Sequence, residues 1–137
     1  MAFNILIVDD SQIIRKIIHR TILMANVPIG LLWNASNGLE ALQVINNEWV
    51  DLVLLDLNMP VMTGSDFVEK MSEKGLIDKV PVIVVSTEGS ESKVERLLEK
   101  GARAFVRKPF TPEDIRKTVR EVLGEWDGCE DTAGDSF

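Results

Sequence analysis

Four short apolar runs along the chain each end on a polar residue. Ile5-Leu6-Ile7-Val8 ends at Asp9-Asp10, Leu52-Val53-Leu54-Leu55 at Asp56, Val82-Ile83-Val84-Val85 at Ser86, and Ala104-Phe105-Val106 leads to Lys108-Pro109. Strands are predicted over Asn4–Val8, Leu31–Ala35, Val50–Leu55 and Val80–Val85 and around Phe105, with Leu31–Ala35 the weakest signal. Between them the apolar period switches to that of a helix. Across Gln12–Met24, the residues Ile13, Ile14, Ile17, Ile18 and Ile22 predict an apolar stripe facing a sheet. Gly38–Asn47 reads as a helix with Asn37 as N-cap and Glu40 completing a capping box. Ser65–Lys74 stops at Gly75, and Ser90–Lys100 stops at Gly101. Thr111-Pro112-Glu113-Asp114 opens a last helix with an N-cap, a proline at the first position and acids at the positive end of the dipole. Its apolar face is Ile115, Val119, Val122 and Leu123, and Gly124 ends it. Strict alternation of strands and helices predicts an α/β domain, doubly wound in three layers, with right-handed crossovers.

In an open parallel sheet the carboxyl ends of the strands share one edge, and ligands bind there. Asp9, Asp10, Asp56, Ser86 and Lys108 are expected to meet at that edge. Each alone has an ordinary explanation. Asp10 or Ser11 can cap the first helix, Asp56 can be a turn residue, Ser86 and Thr87 can serve as caps, and Lys108 can be solvated. Those explanations are unrelated to one another, whereas a shared pocket accounts for all four strand ends. Three clustered carboxylates call for a cation. Mg²⁺ suits them because it takes oxygen ligands, needs one or two carboxylates and keeps waters that a phosphate can displace. With Lys108 the charges then nearly cancel before phosphate enters. A carboxylate can act as the nucleophile toward a phosphoryl group. Asp56, alone at the end of the central strand, is the best candidate.

Length and composition fit one soluble domain: 137 residues, 45% hydrophobic and 27% charged. Of the formal net charge of −7, the stretch 125–137 carries −5 and residues 1–124 carry −2. No basic face for nucleic acid is evident. Nor is there an apolar run of membrane-spanning length or a signal-peptide core. The single cysteine, Cys129, has no internal partner, which points to a reducing cytoplasm. The acidic stretch 125–137 is expected to be a disordered tail. His19 reads as a solvated or half-buried helix residue, and Trp33, Trp49 and Trp126 as packing residues. Without a G-x-G-x-x-G or Walker loop, nucleotide binding has no support.

The segments LIVDDS at 6–11, SNGLEAL at 36–42, DLVLLDLNMPVMTG at 51–64, PVIVVSTEG at 81–89 and GARAFVRKPFTP at 101–112 are specific together. In that order the chain resembles the receiver domain of bacterial two-component response regulators, over about residues 4–124. The resemblance implies a flavodoxin-like (βα)5 fold with strand order 2-1-3-4-5. It implies that Asp56 accepts phosphate from a histidine kinase. Asp9, Asp10, Asp56 and the backbone carbonyl of Asn58 would hold Mg²⁺, for which Mn²⁺ can substitute. Ser86 and Lys108 would contact the phosphoryl oxygens, Phe105 matches an aromatic switch position, and Lys108-Pro109 matches a cis peptide bond. Asn58 and Glu88 together resemble single-domain, CheY-like chemotaxis regulators and would govern dephosphorylation. Thr87 replaces a smaller residue and would restrict access.

The resemblance implies a receiver domain over 1–124 and an output surface on helix four, strand five and helix five that binds a downstream protein. There Val94, Leu97, Leu98, Ile115, Val119 and Val122 are expected to pack inward, and Glu91, Lys93, Glu95, Arg96, Arg103, Arg107 and Lys117 to offer charged contacts. The expected phosphodonor is a histidine kinase or a histidine phosphotransfer protein, and neither nucleic acid nor membrane is expected as a partner. A phosphorelay shuttle has the same site and a different partner. A phosphatase of the haloacid dehalogenase type also uses a nucleophilic Asp with Mg²⁺, and Asp56-Leu57-Asn58 loosely echoes its motif, but that family has the reverse order of motifs. A piece trimmed from a longer regulator is a further alternative, against which the acidic tail argues.

Overall fold

The computed structural model describes residues 2–57, 59–87, 91–124 and 126, with the backbone alone for Glu91. The elements run β1 (Phe3–Val8), α1 (Gln12–Met24), β2 (Ile29–Ala35), α2 (Gly38–Asn47), β3 (Leu52–Leu55), α3 (Gly64–Glu73), β4 (Val82–Ser86), α4 (Glu91–Glu99), β5 (Ala104–Arg107) and α5 (Pro112–Leu123). The strands are parallel and lie in the order β2-β1-β3-β4-β5. This is the flavodoxin-like arrangement that the resemblance implied.

The central strands are covered on both faces, which is why they read as unbroken aliphatic runs. β3 and β4 are buried throughout, and so are the last four residues of β1. β2 is an edge strand, open to solvent at Gly30, Leu31 and Asn34. It begins two residues earlier than its composition suggests, because Ile29 pairs with Phe3.

The sheet separates two apolar layers. On one side, Leu6, Val8, Val53, Leu55 and Val84 meet α2, α3 and α4 through residues such as Leu42, Phe67, Met71 and Leu97. On the other, Ile5, Ile7, Leu54, Ile83 and Val85 meet α1 and α5 through Ile18, Ile22, Ile115 and Val119. Alternate residues of a strand point to opposite faces, so each strand feeds both layers.

Helix α1 does not bury its whole predicted stripe. Ile18 and Ile22 are buried and Ile14 partly so, but Ile13 is 71% and Ile17 52% exposed. The line 14, 18, 22 faces the sheet. Positions 13 and 17 lie one residue around the helix, about 100° away, and turn outward. Burying a residue such as Ile18 contributes about 1.5–3 kcal/mol, which the outer pair does not gain. The same offset corrects α4, where Leu97 is buried and Leu98 is 40% exposed. Val94 and Val122 are half-buried.

The tryptophans diverge. Trp33 packs against the α2–α3 layer. Trp126 is buried in the α1–α5 layer, edge-on to Phe3 with ring centroids 6.1 Å apart, and its indole N–H donates to the Asn26 carbonyl at 3.0 Å. Trp49, by contrast, is not a packing residue. It is 76% exposed, and its indole N–H donates to Asp51 at 2.8 Å. The remainder of the acidic stretch, Glu125 and 127–137, lies outside the described residues, and so does the expectation of disorder there. Among the described residues no helix is long and apolar enough to cross a membrane.

Capping follows the sequence closely. Thr111 and Asp114 form a reciprocal capping box at α5, with Pro112 at its start. At α2 the Asn37 side chain accepts from the Glu40 amide at 2.9 Å. The Glu40 carboxylate, however, reaches one residue further than a capping box does. It accepts from both the amide and the hydroxyl of Ser36 at 2.9 Å.

Candidate functional site

Strand register brings the polar strand ends together. Val8 pairs with Leu55, so Asp9 and Asp56 follow side by side. Leu55 pairs with Val84, which places Ser86 near the same edge, and Ser86 pairs with Arg107, one residue before Lys108. The Lys108 amide donates to the Ser86 carbonyl at 3.0 Å and fixes the end of β5 to that of β4.

One carboxylate oxygen each from Asp9, Asp10 and Asp56 lies within 4.8 Å of the others. Asp9 and Asp56 are buried, at 2% and 9% exposure, while Asp10 is exposed. The Lys108 ammonium stands 3.2 Å from Asp9 Oδ2 and 3.6 Å from Asp56 Oδ1. Asp9 is further held by the Ser11 amide, which donates to its Oδ1 at 2.9 Å. The Ser11 hydroxyl caps α1 by accepting from the Ile14 amide. Capping therefore falls to Ser11 and leaves both acids at the pocket.

This donor set fits a divalent cation. Ligand oxygens on Mg²⁺ sit at about 2.1 Å, so pairs on one ion are roughly 3–4.2 Å apart. With the three carboxylate oxygens within 4.8 Å of one another, cis ligation requires them to close by up to about 2 Å, or to ligate partly through water. Two buried acids with a half-buried lysine and an exposed third acid are short of positive charge, and that deficit selects a cation over an anion.

The loop after Asp56 is tightly built. The Gly64 amide donates to the Leu57 carbonyl at 3.0 Å. A Cβ at Gly64 would stand 2.5 Å from the Asp56 carbonyl oxygen and 2.7 Å from Leu57 Cα. Only glycine permits α3 to start this close to the acceptor strand. Val61 adopts φ 67°, and the Met62 amide donates back to the Pro60 carbonyl at 2.7 Å, a γ-turn. The Met62 carbonyl in turn accepts from the Gly38 amide at 3.2 Å, which ties this loop to the start of α2. The sequence pattern marked this segment as a loop and gave no sign of the positive φ at Val61.

Ser86 is fully buried at the end of β4, and Thr87 beside it is exposed. Thr87 lines, with Lys108, Pro109, Phe110 and residues of α1, an apolar groove of about 360 Å³. The Lys108-Pro109 peptide bond is cis. Phe105 is half-buried and faces Val84, Val94, Leu97 and Leu98, with no room for a water molecule between them. Another cleft, of about 450 Å³, opens between β5 and α5 and is lined by Phe105, Arg107, Lys108, Asp114, Lys117 and Glu121. Arg103, Arg107 and Lys117 are exposed as expected, whereas Arg116, not singled out from sequence, is buried. Asn58 and Glu88 lie outside the described residues, so the metal-ligand and dephosphorylation roles expected of them have no described geometry.

Comparison with known proteins places this geometry. Residues 5–120 match the model of the response regulator receiver domain. A chemotaxis protein CheY homolog of Campylobacter jejuni is 34% identical over 126 residues, covering 91% of this chain and 95% of its own. The structure of chemotaxis protein CheY4 of Vibrio cholerae superposes with a TM-score of 0.78 at 33% identity, covering 90% of this chain and 100% of its own. A CheX-CheY-BeF3-Mg²⁺ complex from Borrelia burgdorferi superposes with a TM-score of 0.76 at 29% identity, covering 90% of each chain. In this family phosphorylation on an aspartate and partner binding are general, and an acidic aspartate cluster binds Mg²⁺. The acid cluster at the strand edge, the five-strand order and the matched sequence agree: the chain belongs to the response regulator receiver domain family, as a signalling protein of the CheY type.

Proposed function

We propose that Asp56 is the phosphoacceptor and that its phosphorylation switches the α4–β5–α5 surface toward a downstream protein, in chemotaxis-type signalling in the cytoplasm. The observation that carries this reading is the Lys108 ammonium shared between Asp9 and buried Asp56 at one strand edge. A carboxylate oxygen of Asp56 forms the new O–P bond as the P–N bond of a donor phosphohistidine breaks, and the leaving imidazole takes up a proton. Asp9, Asp10 and Asp56, with the backbone carbonyl of Asn58, would hold Mg²⁺, which would supply positive charge for the phosphoryl oxygens. Lys108 and Ser86 take the remaining phosphoryl oxygens.

The added phosphoryl group brings about −1.5 to −2 charge. Lys108 and Ser86 follow it inward, and Phe105 turns toward the space they vacate. Two states of one surface are thereby biased by one covalent event. Asn58 and Glu88 position the hydrolytic water, and Thr87 limits its approach. Autophosphorylation and dephosphorylation are the only chemistry assigned to the chain.

The test is labelling with acetyl phosphate or phosphoramidate. Mg²⁺-dependent incorporation at Asp56, abolished by chelator and by Asp56→Ala, is the expected result. Wild-type incorporation elsewhere in Asp56→Ala would sink the assignment. A phosphorelay shuttle is the second reading. The apolar groove beside the site, open along α1, suits docking of a helical phosphotransfer protein. Return of phosphate from Asp56 to a purified histidine phosphotransfer domain would favour it over the chemotaxis role.

A further inference from the structure

Between helix α1 and edge strand β2 lies a pocket of about 180 Å³, lined by Gln12, Arg15, Lys16, His19, Leu32 and Asn34. It shares no lining residue with the acid cluster, the groove at Phe110 or the cleft beside α5. Three of its six lining residues are basic, two are amides, one is apolar and none is an acid. That balance stands out in a chain of net charge −7. Helical spacing explains how it arises. Gln12, Arg15, Lys16 and His19 fall at i, i+3, i+4 and i+7 on one face of α1. Leu32 and Asn34, two apart on β2, lie on one side of the sheet.

The cations have little to neutralise them from within the domain. Helix α1 has no acidic residue between Gln12 and Met24. Among the described residues no salt bridge engages Arg15, Lys16 or His19. Glu40 feels the Arg15 charge, but less than it feels its bonds from Ser36. Arg15 is half-buried, and its guanidinium donates one N–H to the Asp9 main-chain carbonyl. That bond orients the planar fork and leaves its other donors for a ligand, so little side-chain freedom is lost on binding.

Size narrows the ligand. Liquid water takes about 30 Å³ per molecule, so the pocket has room for about six waters. Sites for drug-sized ligands start at about 300 Å³. A nucleotide is therefore too large, and one small anionic group fits. Three basic side chains around one small space favour a dianion over a monocarboxylate.

We propose that this pocket binds a single phosphate group, carried by free phosphate or by a small phosphate ester. Arg15 takes two of the phosphate oxygens, and Lys16 supplies a point charge. The side-chain amides of Gln12 and Asn34 and a ring N–H of His19 donate to the rest; imidazole has at least one N–H in either protonation state. Binding is reversible, with no covalent step, and is separate from the chemistry at Asp56.

The test is an NMR titration of the full chain with inorganic phosphate, at constant ionic strength against chloride. A chelator is present so that no Mg²⁺ draws phosphate to Asp56. Saturable shifts are expected at the Gln12 and Asn34 side-chain amides and the Arg15 Nε–H. A parallel titration with glycerol phosphate identifies the carrier: saturation there too admits small esters, and its absence restricts the site to the free ion. Lys16→Glu is expected to weaken binding about tenfold or more, as the loss of one charge-assisted hydrogen bond does. Arg20→Glu changes the net charge equally, at an exposed residue outside the lining, and is expected to weaken it much less. Equal losses in the two variants would reduce the effect to the overall charge of α1 and overturn the proposal. So would shifts that grow without saturating, shifts centred on Ser86 and Lys108, or acetate saturating the same signals as tightly as phosphate.

Discussion

The Lys108 ammonium is closer to Asp9, at 3.2 Å, than to the Asp56 carboxylate, at 3.6 Å. The lysine is therefore held by an acid that is not the candidate acceptor, and it crosses only a short gap to reach a group bound on Asp56. Removing it leaves three carboxylates with no nearby ammonium. Lys108→Ala is expected to fold, to bind Mg²⁺ several-fold more tightly, and to lose phosphorylation-dependent partner binding. Calorimetric Mg²⁺ titration of wild type and variant checks the first part; weaker binding in the variant would contradict it. The Lys108 and Asp9 side chains are only 19% and 3% exposed, so removing the cation leaves buried carboxylates uncompensated, a loss of up to about 3–5 kcal/mol when no metal is bound.

Gly64 allows no side chain. Its Cβ would enter the Asp56 carbonyl and the Leu57 backbone, and backbone atoms cannot rotate away. Gly64→Ala is expected to cost about 1–3 kcal/mol, the usual range for overpacking, and to slow phosphorylation by displacing the corner behind Asp56. Urea unfolding and the acetyl phosphate labelling rate measure the two effects. Wild-type values for both would show that the corner yields freely.

Val61 holds a β-branched side chain at φ 67°. That region disfavours L-residues by about 1–2 kcal/mol, and glycine escapes the penalty while losing some unfolded-state entropy. Val61→Gly is expected to gain on the order of 1 kcal/mol in urea unfolding, with no lost packing because Val61 is exposed. A destabilised variant would mean that the side chain contributes more than the strain costs.

Much of this architecture is legible in the sequence, for physical reasons. Central parallel strands have no solvent face, so β1, β3 and β4 show as unbroken aliphatic runs ending at Asp9, Asp56 and Ser86. Edge strand β2 follows a weaker rule, and Gly30 and Asn34 obscure it. Helical periodicity located α1, but two adjacent apolar lines cannot say which one a flat sheet will cover. Ile14, Ile18 and Ile22 were therefore not separable from Ile13 and Ile17. The strain at Val61 and the partners of Trp126, which read only as a packing residue, depend on distant parts of the chain, and no local pattern encodes them. The closeness of Asp9, Asp56 and Lys108 is legible only once parallel register is assumed.

The Ser36 amide and hydroxyl both donate to Glu40 and hold its carboxyl below the ordinary range, with burial opposing weakly. A depressed folded-state value means the stabilisation is present above the unfolded pKa and is lost as pH falls through the folded one. Glu40→Gln is expected to be less stable than wild type at neutral pH, and the gap should close in acid. Parallel urea titrations at the two conditions check this. A gap that persists in acid would assign the effect to shape instead of charge.

Phe105 lacks a hydroxyl to keep in contact with water. Its ring, half-buried against Val84 and Leu97, is expected to sample the inward position even without phosphate, so that phosphorylation shifts an existing equilibrium. Phe105→Tyr should reduce the inward population and raise the contrast between resting and activated states. Ring resonances of both forms, with and without beryllofluoride and Mg²⁺, measure it. Identical contrast in the two would remove Phe105 from the switch.

The contact between Trp126 and Phe3 has a consequence for how the protein is made. The layer holding α2, α3 and α4 can close while the ribosome is still adding α5. The other layer cannot, because α1 waits for Ile115, Val119 and finally Trp126. At about 5–20 residues per second, Ile18 and Ile22 stay exposed for several seconds after they emerge. The nascent chain therefore passes through a stage with one layer finished and the other waiting for α5, and a ribosome stalled before Trp126 holds a protein whose Phe3 ring and Asn26 carbonyl lack their indole partner.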